Sequence, residues 1–147
     1  MKMRKTYKAS RIVLIIFLML GFISCGKSGG GGGGTTPPTP TPTEEDIAFS
    51  IDIDPGSGIY AALGANQDAK VTISSKMPPS GVTVDVSVKK DSDNSVVTST
   101  SLSGSISPFT VTLSSLPPGV VCTATFIITS KTKATNTATR LFKIARK

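Results

Sequence analysis

Val82-Thr83-Val84-Asp85-Val86-Ser87-Val88-Lys89 alternates without a break between valine and a polar residue. A period of two puts all four valines on one face of an extended chain and Thr83, Asp85, Ser87 and Lys89 on the other. Branched side chains suit a pleated, half-covered surface. The stretch therefore predicts a strand with one face in a core and the other in solvent.

The same pattern recurs on both sides of it. Ile47, Phe49, Ile51 and Ile53 alternate with Ala48, Ser50, Asp52 and Asp54. Val71 and Ile73 alternate with Lys70, Thr72 and Ser74, and Phe109, Val111 and Leu113 with Thr110 and Thr112. Turn-forming residues separate the runs: Asp54-Pro55-Gly56, Pro78-Pro79-Ser80-Gly81, Asp91-Ser92-Asp93-Asn94, Pro117-Pro118-Gly119, and Lys133 to Asn136. No segment shows a capped helical period. The reading is all-β: seven strands, at 47–54, 70–75, 82–90, 95–101, 109–114, 120–130 and 137–145, in one domain of residues 46–147. Short strands at this spacing predict a β-sandwich, and about 100 residues suit a single core.

One segment carries a resemblance. Leu116-Pro117-Pro118-Gly119-Val120-Val121-Cys122 resembles the L-x-P-G-x-x-Y segment of fibronectin type III and related immunoglobulin-like domains. There it leads into the sixth strand, whose tyrosine makes a corner hydrogen bond. Cys122 stands at the tyrosine position, and a thiol makes that bond poorly. The resemblance implies an immunoglobulin-like sandwich in which the corner is lost or replaced. It also implies a tendency toward binding or spacing roles, with no particular ligand. Cys122, Ala124, Phe126 and Ile128 are expected to face inward.

Nothing ahead of the domain can build a core. Gly29 to Gly34 reads as flexible coil, and Thr35 to Thr43 (TTPPTPTPT) as an extended spacer of about 3.1 Å per residue. Pro37-Pro38-Thr39-Pro40 satisfies P-x-x-P but reads here as part of that spacer. Residues 25–45 are accordingly a predicted disordered linker.

Before the linker, Lys2, Arg4, Lys5, Lys8 and Arg11 precede a continuous apolar run from Ile12 to Leu20. The run is short for a membrane span and fits the apolar region of a secretory signal, residues 1–24. Phe22-Ile23-Ser24-Cys25 resembles a bacterial lipobox, with Phe22 where leucine is usual. The resemblance implies that Cys25 is lipidated and becomes the first residue of the mature chain. Several acyl chains, at about 0.8 kcal/mol per buried CH₂, hold a membrane durably where one does not. Gly26, in place of aspartate, lacks the inner-membrane retention signal of some bacteria. The expected location is the cell envelope at the outer membrane, with periplasmic or external facing left open.

Several function classes recede on composition. Removing the five cations ahead of Cys25 leaves eleven Lys and Arg against nine Asp and Glu, so the formal charge falls from +7 to about +2. The concentrated basic footprint of a nucleic-acid binder is then missing. Lys131, Lys133, Arg140, Lys143, Arg146 and Lys147 could still form a basic end, although a solvated surface is the plainer reading. Gly21, Gly26, Lys27 and Ser28 match a P-loop, but six glycines follow where a helix must begin, so no nucleotide is expected.

Histidine is absent, which removes Ser–His and Cys–His nucleophiles. Cys122 reads as a core residue. A Ser–Lys pair remains a matter of geometry. Asp52, Asp54, Asp91, Asp93 and Asn94 form the only clusters in the domain that could hold Ca²⁺, without the glycine and distal glutamate of a calcium loop. They read as turn formers, and no metal or cofactor is expected. Sugar platforms generally use exposed Trp or Tyr. The mature chain has no Trp and one Tyr, Tyr60, expected in the loop after the first strand and the single candidate ligand contact. The leading expectation is a non-enzymatic, lipid-anchored binding or display module, with an envelope protein or glycan as partner. The alternative is an accessory lipoprotein for glycan binding or uptake.

Overall fold

The four valines of 82–88 are all buried, and each polar neighbour points away from them. In the computed structural model, which describes residues 43–147, this strand lies second from one edge of a five-stranded sheet. The signal segment, Cys25, the P-loop match and most of the linker lie outside the described residues.

Eight strands form in chain order: β1 (Phe49–Ile51), β2 (Ile59–Ala62), β3 (Gln67–Ile73), β4 (Val82–Lys90), β5 (Val96–Gly104), β6 (Phe109–Leu113), β7 (Val121–Ser130) and β8 (Thr137–Arg146). They make a three-stranded sheet, β1-β3-β6, and a five-stranded sheet, β2-β8-β7-β4-β5. Neighbours pair antiparallel except β2, which runs parallel to β8. The described residues contain no helix.

One core joins the two sheets. Val71, Val111 and Leu113 come from the smaller sheet, and Val84, Phe126, Ile128 and Ile144 from the larger. Phe126 and Phe142 stack with ring centroids 5.8 Å apart. Cys122, Ala124, Phe126 and Ile128 share the inward face of β7, as the alternation required.

The eighth strand corrects the expected count of seven. Ile59-Tyr60-Ala61-Ala62 lacks the alternation of its neighbours, yet its edge pairs with Lys143 to Arg146 of β8. Tyr60 is therefore on a strand, not in a loop. Strand ends also move. β1 stops at Ile51, β3 starts earlier, at Gln67, and β5 runs on to Gly104 because Ser103 and Gly104 keep pairing with Thr83 and Val82.

The turn chemistry sets the chain reversals. Gly81 takes φ 78°, and its N–H donates to Pro78 O at 2.8 Å. Any Cβ there would run into the Gly104 carbonyl, so the position needs glycine twice over. Asp54 and Asp93 each accept a hydrogen bond from the backbone N–H two residues on, closing turns at Gly56 and Ser95. Gly119, φ 67°, donates to Arg146 O at 3.0 Å and leads the chain into β7.

Candidate binding face

The outward side of the five-stranded sheet presents its chemistry in register. β7 and β8 pair Thr123 with Lys143, Thr125 with Leu141 and Ile127 with Thr139, and β2 sets Ile59 beside Lys143. Leu141 is thus the diagonal neighbour of both Ile59 and Ile127, close enough for long side chains to meet. The three are 62%, 52% and 37% exposed and form an apolar diagonal across three strands. Hydroxyls fill most of the surroundings, among them Thr83, Ser87, Ser101 and Thr139. A shallow groove of about 390 Å³ runs between Gly56, Gly58 and the Leu141–Lys143 stretch.

A polar cluster closes one end of this face. Lys143 Nζ lies 2.6 Å from Asp91 Oδ2 and 2.8 Å from Thr123 Oγ1, and the Thr123 hydroxyl donates to Asp91 Oδ1 at 2.6 Å. The Lys143 ammonium, then the Thr123 hydroxyl, hold the Asp91 carboxyl below the ordinary aspartate range. This is the nearest approach in the cluster to a hydroxyl–lysine pair. Lys143 and the Thr123 hydroxyl both engage the Asp91 carboxylate, so the arrangement ties the β4–β5 turn to β7 and β8.

Other carboxylates also accept hydrogen bonds from neighbouring residues. Asp85 accepts from the Ser101 hydroxyl, and Asp68 from the Thr112 hydroxyl, each at 2.6 Å from the residue directly opposite. Asp93 is lowered by Ser95, through its hydroxyl and its N–H. Asp52 Oδ1 accepts from Lys70 N at 2.8 Å. Among the described residues no group of three or more His, Cys, Asp or Glu is placed to hold a metal.

Cys122 is 1% exposed, and burial, then the Asp91 charge, push its thiol up. Its sulfur lies 3.9 Å from Val120 O, at the long limit for a sulfur donor. Tyr60, opposite Ile144, is half-buried and packs against the core from the sheet edge. The cations do not gather. Lys131 and Lys133 sit at the β7–β8 turn, while Arg146 and Lys147 lie at the far end of β8, roughly 30 Å along a strand of that length.

A second pocket, of about 330 Å³, lies where the linker meets the domain, between Glu44, Glu45, Lys76, Met77 and Thr132. Asn136 anchors this end. Its Oδ1 accepts from Ile47 N, and its Nδ2 donates to Glu44 Oε1 at 2.6 Å and Glu45 O at 2.8 Å. Sequence reasoning named Asn136 as a turn residue and missed this role. No local pattern links it to Glu44, 92 positions away.

No protein-family model, curated protein or solved structure matches this chain.

Proposed function

We propose that the chain is a non-enzymatic, lipid-anchored protein of the bacterial cell envelope, carrying one immunoglobulin-like domain that binds or displays at the membrane surface. The observation that carries this reading is Phe22-Ile23-Ser24-Cys25, placed between a basic-then-apolar leader and a Gly- and Pro-rich linker. The lipid on Cys25 attaches the chain to the outer membrane, and the linker holds the domain clear of it.

The immunoglobulin-like reading draws support from strand order. Taken as A, A′, B, C, C′, E, F and G, β1 to β8 give an A-B-E sheet over an A′-G-F-C-C′ sheet, with A′ parallel to G. The segment Leu116 to Cys122 runs from the E–F connection into the start of F, where the fibronectin-type motif belongs. Leu116 is buried there, and Cys122 fills the inward position. The outer face of the larger sheet, with its Ile59–Leu141–Ile127 diagonal, is the surface this reading offers to a partner.

Fatty-acid labelling of the wild type and of Cys25→Ala in a Gram-negative host tests the anchor. Label on the wild type alone, with the variant released to the soluble fraction, supports it. An unlabelled wild type, or a variant that stays in the membrane, overturns it.

A further inference from the structure

We propose that β5 is the contact edge of a homodimer, in which a second copy of this chain adds its own β5 antiparallel and joins two five-stranded sheets into one.

The two sheets have four edges: β1, β6, β2 and β5. Three are short, at 3, 5 and 4 residues, and short edges resist pairing with other chains. β5 has nine residues, VVTSTSLSG, with no charge and no proline. Those are the devices that normally block an open edge. A register shift between Val88 and Lys89 leaves Val97 as an extra residue at the start of β5, and Thr98–Gly104 continues without interruption. Among the described residues, no backbone hydrogen bond outside the sheet ladder engages Val96–Gly104. Its outward row of N–H and C=O groups is open.

The inward side of β5 is also incompletely covered. Thr98, Thr100 and Leu102 are half-buried, while Val84, Val86 and Val88 facing the same way on β4 are buried. The three-stranded sheet approaches β5 through Thr98, hydrogen-bonded to Ser114, and through Phe109 beside Gly104. A neighbouring strand would cover Leu102 and Thr100 further.

Two arguments select a second copy as the occupant. The chain's own linker is a poor occupant: Pro37 and Pro38 are adjacent, so in either register one of them turns a missing N–H toward the ladder, and Gly29 to Gly34 brings no side chains to pack. β5 is also self-complementary. A two-fold axis through Thr100 keeps both cores on the same side of the joined sheet, since inward residues meet inward residues. It sets Thr98 opposite Leu102 and Ser99 opposite Ser101 of the second copy, with no like charges facing. Hydroxyl pairs across strands are favourable. Antiparallel pairing places the two linkers at opposite ends, and residues 26–43 can extend roughly 60 Å, enough for both copies to reach one membrane. The inference goes beyond the anchoring reading and does not depend on it.

Variants of the full chain that each add one cysteine test the pairing under mild oxidation, in whole-cell extracts as well as in isolated membranes. Opposed residues across an antiparallel pair have Cα atoms roughly 4.5–5.5 Å apart, within disulfide reach. Thr100→Cys is expected to give a disulfide-linked dimer. Thr139→Cys, on the outward face of the same sheet and away from the β5 edge, is expected to remain monomeric. It carries the same Cys25 and Cys122, so background from either appears equally in both. Adding Ser99→Lys and Ser101→Lys to Thr100→Cys opposes like charges and is expected to cut the cross-linked fraction about tenfold, whereas adding Thr137→Lys and Ser87→Lys leaves it unchanged. Equal cross-linking at positions 100 and 139, no dimer at any of positions 99, 100 and 101, or cross-linking solely to a different protein overturns the proposal.

Discussion

Asn136 Oδ1 accepts the Ile47 backbone N–H at 3.0 Å, joining two residues 89 positions apart. Asn136 is 6% exposed, and its backbone also accepts from Ser130 and donates to Lys133 O. One residue therefore shapes the last turn through its backbone and, through its side chain, fastens the start of the domain, including Glu44 and Glu45, against it. Replacing Asn136 by alanine strands the buried Ile47 N–H, a loss of about 1–3 kcal/mol. Urea melts should show the lower midpoint, and amide exchange should rise at Ile47 and Ala48 before it rises in β4 or β7.

Gly81 is expected to be less tolerant. Gly81→Ala brings a Cβ onto the Gly104 carbonyl while also demanding a backbone conformation that costs about 1 kcal/mol or more for an L-residue. Gly56→Ala carries the same backbone cost in open space. The account expects a clearly larger fall in thermal midpoint for Gly81→Ala than for Gly56→Ala.

Asp91 gives stability an acid limb. Its folded carboxyl is depressed by Lys143 and then by Thr123, so the unfolded chain takes up the proton first as pH falls. The contribution is present above the ordinary aspartate value of about 3.9 and is lost as pH drops through the lower folded value. Asp91→Asn should lower the urea midpoint slightly at pH 7, and the gap from wild type should close at strongly acidic pH. The pair is partly exposed, so the gap should also shrink in high salt.

Cys122 should behave as an inert core thiol. The thiolate is the reactive form, and burial, with the Asp91 charge, raises the thiol above its ordinary value. An aromatic disulfide reagent at pH 8 is expected to leave the native protein unmodified at Cys122 and to react once denaturant is added. Rapid reaction in the native state would mean that the β7 face is not packed as described.

The strands that sequence reasoning found are those whose faces differ sharply. β4 is legible because each valine has a polar neighbour, and β6 and β7 follow the same rule. β2 was invisible because Ile59-Tyr60-Ala61-Ala62 has no polar alternation, and its pairing partner lies more than 80 residues later. The Ser-rich end of β5 was missed for a related reason: serine and threonine do not distinguish an outer strand position from a loop. Alternation also carries no information on sheet order, so it could not bring Asp91 to Lys143 or Glu44 to Asn136. The candidate face was half legible. Thr123, Thr125 and Lys143 fall outward by period, but the Ile59–Leu141–Ile127 diagonal exists only once β2, β8 and β7 are set side by side.

The central claim concerns residue 25. Intact-mass and fragmentation spectrometry of the chain extracted from the membranes of a Gram-negative host reads it directly. The account predicts a mature N-terminus at Cys25 carrying more than one acyl chain, and a single titratable thiol, Cys122, after unfolding. A chain that begins elsewhere, or that begins at Cys25 with two free thiols and no lipid, would contradict it.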